Sequence, residues 1–188
     1  MSKEKLQTVD PVEEVNTLVS KALVALDEFK KIEDQEKIDA IVQAAAVAAL
    51  EAHGPLAVAA VEETGRGVVE DKATKNLYAC EYIVNYMRGL KTVGVVEKND
   101  VDGLTAIAEP VGVVCGIVPT TNPTSTTIFK SLICLKTRNP SYSVSTHLLM
   151  SVLNKRHVSF VMQQLKLGLL KTVSNSLKNH LWKELMHS

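Results

Sequence analysis

Apolar residues recur at helical spacing near the start of the chain. Asp10-Pro11 is a typical helix-start signal, and a periodic apolar stripe then runs to about Phe29. Its members are Val12, Val15, Leu18, Val19, Ala22, Leu23 and Leu26. This spacing predicts an amphipathic helix.

A second periodic stripe follows Asp34, whose carboxylate can cap a helix. The predicted buried face consists of Ile38, Ile41, Val42, Ala45, Ala46, Ala49 and Leu50. We expect this helix to end at His53-Gly54-Pro55. Pro55 suits the first turn of a third helix that is predicted through Glu63, and glycines then separate it from a fourth helix over about residues 69–88.

The pattern changes to β-type after residue 90. Residues 92–97 and 104–109 are rich in β-branched side chains, and the segment between them contains Asn99, Asp102 and Gly103. Such a composition predicts an antiparallel hairpin.

A short apolar run at residues 111–118 is typical of a central parallel strand that is buried on both faces. Residues 119–125 supply a turn and a helix N-cap, after which helical spacing resumes. The apolar positions of this last helix are Ile128, Phe129, Leu132, Ile133 and Leu135. A strand, turn and helix in this order predict an α/β fold, in which ligands bind at the carboxyl ends of the strands.

Composition is that of an ordinary globular protein, with 46% hydrophobic and 22% charged residues. The 21 basic residues balance the 21 acidic ones, so charge does not favour a nucleic-acid or membrane partner. The segment Met1-Ser2-Lys3-Glu4-Lys5 lacks the apolar core of a signal peptide. The spacing of Cys80, Cys115 and Cys134 fits neither a zinc site nor a disulfide framework. We therefore expect free thiols, no metal and a cytoplasmic location.

The character of the chain changes near Pro140. Residues 1–140 hold 20 of the acids and 15 of the bases, whereas residues 141–188 hold 1 acid and 6 bases. The later segment also contains no Ala, Ile, Asp or Pro. One interpretation is a basic, Leu-rich interaction helix, and the other is translation out of frame.

The run EPVGVVCGIVPTTNPTSTTIFKSLICLKTRNP, residues 109–140, resembles the first cofactor-binding strand and loop of aldehyde dehydrogenases. Its Thr- and Ser-rich loop is similar to the acylating, CoA-dependent branch. The run GRGVVEDKATKNLYACEYI, residues 65–83, narrows the resemblance to the N-terminal half of bifunctional aldehyde-alcohol dehydrogenases. The resemblance covers essentially residues 10–140.

The resemblance implies an incomplete aldehyde-dehydrogenase-like α/β fold. Its expected divisions are a helical part (1–90), a hairpin arm (91–110), the first βα unit of an NAD-binding domain (111–140) and an out-of-frame tail (141–188). The hairpin arm is expected to serve homo-oligomerisation. The implied cofactor is NAD, and the implied substrates are an acyl-CoA such as acetyl-CoA and an aldehyde. In the whole protein, aldehyde formation is coupled to alcohol formation in fermentation.

The implied site lies in the loop after the strand. An amide can donate a hydrogen bond to a developing oxyanion without titrating, which favours Asn122. An ungapped alignment with classical aldehyde dehydrogenases places that role on Thr121, so both residues remain candidates. Residues that match the cofactor cleft are Ile117, Val118, Pro119 and Thr120, and Lys130 matches a lysine near the floor of the active site.

No cysteine of this chain is expected to be the nucleophile. Cys115 lies in the apolar strand and Cys134 on an apolar helical face, where burial would raise the thiol pKa. In the family the catalytic cysteine lies beyond the matching segment. We therefore expect the chain to be inactive alone.

Reverse translation favours a frameshift after about Pro140. Reading permitted codons two bases later yields a continuation that resembles the family through to Ser188. Three positions with little codon freedom distinguish a frameshift from chance agreement. In the shifted frame Met162-Gln163 forces Ala, Trp182-Lys183 forces Glu and Met186-His187 forces Ala, and all three residues agree with the family-like continuation. The expected product is a truncated fragment whose tail, including residues 165–181, does not pack on residues 1–140. The alternative is a non-enzymatic helical interaction module.

Overall fold

The computed structural model describes residues 11–145. Helices come first, then a hairpin, then a β–α–β unit. In chain order the elements are α1 (Pro11–Lys30), α2 (Gln35–Glu51), α3 (His53–Thr64), α4 (Val69–Cys80), α5 (Tyr82–Met87), β1 (Gly94–Asn99), β2 (Leu104–Ala108), β3 (Val114–Val118), α6 (Pro123–Lys136) and β4 (Ser141–Ser145).

The first two predicted helices are confirmed. The Asp34 carboxylate caps α2 by accepting a hydrogen bond from the backbone N–H of Glu36 at 2.9 Å. The predicted apolar face of α2 is buried from Ile38 to Ala49, and Leu50 is half-buried. Periodicity alone was therefore sufficient to orient α2 toward the core.

The predicted end of α2 at His53-Gly54-Pro55 is wrong, whereas the prediction that Pro55 lies in the first turn of α3 is confirmed. α2 ends at Glu51, and His53 to Pro55 form the first turn of α3. Proline is tolerated there because the first N–H groups of a helix have no intrahelical partner. Within residues 11–145, no single helix is long and apolar enough to cross a membrane, and α2 with α3 meets that test only as a pair bent by 59°.

The predicted fourth helix is divided at Glu81 into α4 and α5. Helical hydrogen bonds nevertheless continue across the division, from Glu81 N–H to Leu77 O and from Asn85 N–H to Glu81 O, both at 2.9 Å. The feature is a local kink in one helical path. Gly65, at φ 61°, ends the preceding helix in the left-handed conformation, as a C-terminal glycine commonly does.

The hairpin is confirmed as an antiparallel pair. Its register runs from Gly94 opposite Ala108 to Asn99 opposite Leu104, with a bulge between Val95 and Glu97. Nearly every residue of both strands is exposed. The hairpin is therefore an arm that projects from the described fold.

β3 pairs in parallel with β4, from Val114 opposite Ser141 to Val118 opposite Ser145. Gly116 and Val118 are buried, whereas Cys115 and Ile117 are exposed. The prediction that this strand is buried on both faces is wrong for residues 11–145, because α6 packs on one face and the other is uncovered. The strand is also shorter than predicted.

The expectation that nothing after Pro140 packs on the preceding residues is contradicted for residues 141–145, which form β4. Backbone hydrogen bonds, which any side chain permits, pair this strand with β3. The segment 165–181 lies outside the described residues.

α2, α4 and α6 pack together around a core in which Ile38, Leu56, Ile128 and Leu132 are fully buried. The end of α6 has a Schellman geometry, with Asn139 N–H bonded to Cys134 O at 2.8 Å and Arg138 N–H to Leu135 O at 3.1 Å. This arrangement sets the direction in which the chain leaves α6 for β4.

Candidate functional site

The candidate site is the loop of residues 119–122 between β3 and α6. Asn122 is the N-cap residue of α6, with φ −138° and ψ 60°, and Pro123 occupies the first helical position. The Asn122 side chain makes no capping hydrogen bond, although asparagine at this position usually does. Its amide is therefore available for another partner.

Two lysines of α4 hold this loop. Lys72 Nζ donates to the backbone carbonyl of Thr121 at 2.8 Å, and Lys75 Nζ donates to Asn122 Oδ1 at 3.1 Å. A separation of three residues places both lysines on one side of the helix. The Asn122 amide nitrogen lies 3.5 Å from Thr121 Oγ1, so the two candidate oxyanion donors are adjacent.

Lys72 is an unusual residue because it is only 5% exposed. Burial lowers the pKa of its ammonium, and the positive charge of Lys75 lowers it further. Within the described part of the chain, no carboxylate forms an ion pair with either lysine. The loop therefore faces two positive charges that no ion pair between described residues neutralises.

Asn76 connects the loop region to the helical core. It is fully buried, donates through Nδ2 to His53 O at 2.9 Å, and accepts through Oδ1 from Thr124 Oγ1 at 2.9 Å. A buried amide with both ends satisfied is a strong positional constraint. It connects α3, α4 and the first turn of α6.

Sequence reasoning missed Lys72, Lys75 and Asn76. The available signal was polar residues at positions 72 and 76, which share a helical face with the apolar Cys80. Polar side chains on the inward face of a helix usually have a specific partner.

The predicted cofactor residues are divided between the two faces of β3. Ile117 is 63% exposed, whereas Val118 is fully buried and presents no surface to a ligand in this structure. Lys130 Nζ donates to Ile117 O at 2.5 Å, which brings two predicted residues together. Pro119 is exposed, and Thr120 is half-buried.

The thiols differ from expectation at one position. Cys80 and Cys134 are buried, and burial raises the pKa of Cys80 to about 12 and also raises that of Cys134. Cys115, which was expected to be buried, is exposed because it points to the uncovered face of β3. A hydrogen bond with the Cys115 side chain raises the pKa of Tyr142.

The described residues therefore assemble donors for an anionic atom. The loop offers an amide and a hydroxyl, and α4 places two ammonium groups beside them. No group of three or more His, Cys, Asp or Glu residues that could hold a metal occurs between residues 11 and 145. This chemistry suits stabilisation of a developing negative charge.

No family model matches the chain. Its N-terminal region matches the aldehyde dehydrogenase part of bifunctional aldehyde-alcohol dehydrogenases at 54–68% identity. Aldehyde-alcohol dehydrogenase 2 of Entamoeba histolytica is 62% identical over 141 residues, which are 74% of this chain and 16% of that protein. The aldehyde-alcohol dehydrogenase of Streptococcus pneumoniae serotype 4 is 68% identical over 126 residues, 67% of this chain and 14% of that protein. The chain thus spans about a sixth of the length of these relatives.

Solved structures show the same fold. An acetylating aldehyde dehydrogenase from Geobacillus thermoglucosidasius matches 84% of this chain and 34% of its own, with TM-score 0.77 and 38% identity. A propionaldehyde dehydrogenase from Rhodopseudomonas palustris, solved with bound CoA and an acylated cysteine, matches 81% of this chain and 34% of its own, with TM-score 0.64 and 26% identity. An engineered glycolyl-CoA reductase solved with NADP+ shares the fold at TM-score 0.65 and 24% identity over 84% of this chain and 34% of its own.

Proposed function

We propose, from its match to the aldehyde dehydrogenase part of bifunctional aldehyde-alcohol dehydrogenases, that this chain carries the first part of an acylating aldehyde dehydrogenase. The whole enzyme would convert acyl-CoA, NADH and a proton to aldehyde, CoA and NAD+, with acetyl-CoA and acetaldehyde as the physiological pair. In a bifunctional protein a second reduction yields the alcohol. The observation that carries this proposal is 62% identity over 141 residues together with a TM-score of 0.77 to an acetylating enzyme.

Asn122 is the proposed oxyanion donor, and the Thr121 hydroxyl is the alternative. Attack of a thiolate on the thioester carbonyl places negative charge on its oxygen, which a fixed N–H donor stabilises. Two features support Asn122: its side chain does not cap α6, and its only described N–H contact is the long one to Thr121 Oγ1 at 3.5 Å. An amide in that state can donate to a substrate.

Two exposed residues at the end of β3 support the proposal that a nicotinamide nucleotide binds there. Ile117 presents an exposed apolar side chain and Pro119 is exposed beside it, while Lys130 holds the Ile117 carbonyl. When bound, NADH would supply the hydride. Ile117, Pro119 and Thr120 would line its cleft, Lys130 would support the strand end, and the fully buried Val118 would contribute only by packing.

None of the three cysteines is the proposed nucleophile. Raised pKa values make Cys80 and Cys134 poor nucleophiles. For Cys115 the proposal rests on the resemblance, in which the nucleophile follows the matching segment. The 188-residue chain alone should therefore lack acyl-CoA reductase activity.

A frameshift near Pro140 remains part of the proposal. Its support is the codon agreement in the later segment and the extent of the sequence match, which covers 74% of the chain. The division into a helical part, a hairpin arm, a βα unit and a tail is retained with it. We also retain the proposals of a cytoplasmic location and of a role of the arm in homo-oligomerisation. The matches do not favour a non-enzymatic interaction module.

Restoring the reading frame tests the proposal. We expect a one-base change near the codon for Pro140 to open a long frame, and its product to oxidise NADH in the presence of acetyl-CoA. The unaltered chain, prepared identically, is the matched control and should be inactive. Genomic DNA that encodes no related sequence downstream, or a restored product without activity, would overturn the proposal.

A further inference from the structure

The orientation of the Asn122 amide is determined by α4. A protonated lysine can only donate hydrogen bonds, so the atom of Asn122 that faces Lys75 must be the carbonyl oxygen. The amide nitrogen consequently faces away from Lys75, toward Thr121 Oγ1 at 3.5 Å. Such a distance is at the limit of a hydrogen bond, so neither N–H group has a well-formed partner among residues 11–145.

The same contact explains why Asn122 does not cap its own helix. At an N-cap, the side-chain oxygen normally accepts a hydrogen bond from a backbone N–H in the first helical turn. In this structure that oxygen accepts from Lys75 at 3.1 Å instead, and α6 begins without a side-chain cap. A charged donor generally forms the stronger hydrogen bond, so Lys75 competes successfully for the oxygen.

Lys72 fixes the backbone on which this amide is mounted. Its ammonium holds the Thr121 carbonyl at 2.8 Å, and that carbonyl belongs to the peptide group joining Thr121 to Asn122. Because Lys72 is 5% exposed, its side chain has little freedom to leave this position. The two lysines therefore constrain successive parts of the loop.

We propose that Lys75, supported by Lys72, is a positioning residue that turns the Asn122 amide nitrogen toward the reacting oxygen. This inference rests on the proposed function, in which Asn122 is the oxyanion donor. Lys75 also polarises the amide, because positive charge at the carbonyl oxygen makes the N–H groups better donors. Lys75 itself touches neither substrate nor cofactor in this role.

The experiment uses the full 188-residue chain labelled with ¹⁵N, so it does not depend on enzymatic activity. The side-chain NH₂ signals of Asn122 are assigned by their absence in Asn122→Ala. In Lys75→Met, the amide should turn to the capping orientation. The Asn122 NH₂ signals should then shift, and a backbone N–H signal of Thr124 or Ser125 should shift as it gains an acceptor.

Lys75→Arg keeps a charged donor and should retain the original Asn122 NH₂ signals. If Lys75 acted only through packing of its aliphatic carbons, Lys75→Arg and Lys75→Met would not differ in these signals. Lys91→Met removes another exposed lysine, and should leave those signals unchanged. Identical Asn122 signals in Lys75→Met and Lys91→Met would overturn the positioning role, whatever the function of the protein. If the signals shift as expected but Asn122→Ala does not impair the frame-restored enzyme, the oxyanion assignment fails while the control of the amide by Lys75 stands.

Discussion

At the scale of single residues, the loop after β3 owes its geometry to a neighbouring helix. Asn122 and Thr121 are consecutive in the chain, yet each is held by a different lysine of α4. Lys72 remains buried without a carboxylate partner among the described residues, a costly arrangement that is more typical of functional sites than of stable cores.

Asn122→Ala should reduce kcat of the frame-restored enzyme by about 10²–10³ with a small effect on KM, because an oxyanion donor acts mainly in the transition state. Thr121→Val should be milder, since its hydroxyl offers a single rotatable donor. Single-turnover kinetics with acetyl-CoA and NADH would measure both. A crippled Thr121→Val beside a near-normal Asn122→Ala would assign the role to Thr121.

Lys72 should make the free energy of unfolding of the chain increase with pH in the alkaline range. Because its pKa is lowered in the folded state, the unfolded chain binds this proton more tightly, and the free energy of unfolding rises with pH between the lowered pKa and 10.5. Lys72→Met removes this contribution. Denaturant unfolding from neutral pH upward should show the wild type gaining stability relative to Lys72→Met. Lys91→Met serves as the control, and parallel curves for wild type and Lys72→Met would contradict the prediction.

The thiols should react in an order set by burial. With pKa about 12, Cys80 is thiolate to only about one part in 10⁴ at pH 8, and Cys134 is buried as well. An aromatic disulfide reagent should therefore modify one of the 3 thiols quickly in the native chain and all of them in denaturant. Cys115→Ala should abolish the fast phase, and Cys134→Ala should not. A fast phase that survives Cys115→Ala would show that a buried thiol opens readily.

At the scale of elements, contacts between distant segments determine how helices end and strands pair. Arg138 occupies the left-handed position after α6, with φ 58°, where glycine is usual. Its guanidinium donates to Ile32 O at 3.2 Å and to Ala108 O at 2.9 Å, which connects α6 to the α1–α2 loop and to the hairpin. These two hydrogen bonds offset the cost of the left-handed backbone conformation. Arg138 is therefore stable at a position where a residue other than glycine is usually unfavourable.

The hairpin arm provides an element-scale test of self-association. Ile107 is 60% exposed and lies opposite Val95, which is also exposed, so the arm presents apolar surface to solvent. We expect concentration-dependent association of the chain by light scattering. Ile107→Lys should shift the mass toward the monomer, whereas Thr105→Lys on the same strand, replacing a polar residue, should not. Equal masses for the two variants would argue against the arm as the contact surface.

At the scale of the whole molecule, the sequence match and the structural match extend over different shares of the chain. The sequence match covers 74% of the chain, and the structural match covers 84%. β4 begins at Ser141 and pairs with β3, and its sequence, SYSVS, alternates polar and apolar side chains as a strand with one covered face usually does. Parallel strands pair through backbone hydrogen bonds. A strand can therefore form here even if, as proposed, residues 141–145 are translated out of frame and differ from those of the original reading frame.

The sequence by itself determined the elements that depend on local patterns: the extent of α1, the capped start and buried face of α2, the glycine end of α3 and the hairpin. Each follows from side-chain periodicity or from backbone preference at a single residue. Only the tertiary structure decided which face of β3 is covered, that Cys115 is exposed and that β4 pairs with β3. It also decided that Lys72 and Lys75 contact the loop and that Asn76 contacts the first turn of α6. The three contacts made by α4 join residues that are 47 to 49 positions apart in the sequence. Such contacts contribute energy only when packing brings the two segments together, so local patterns do not reveal them.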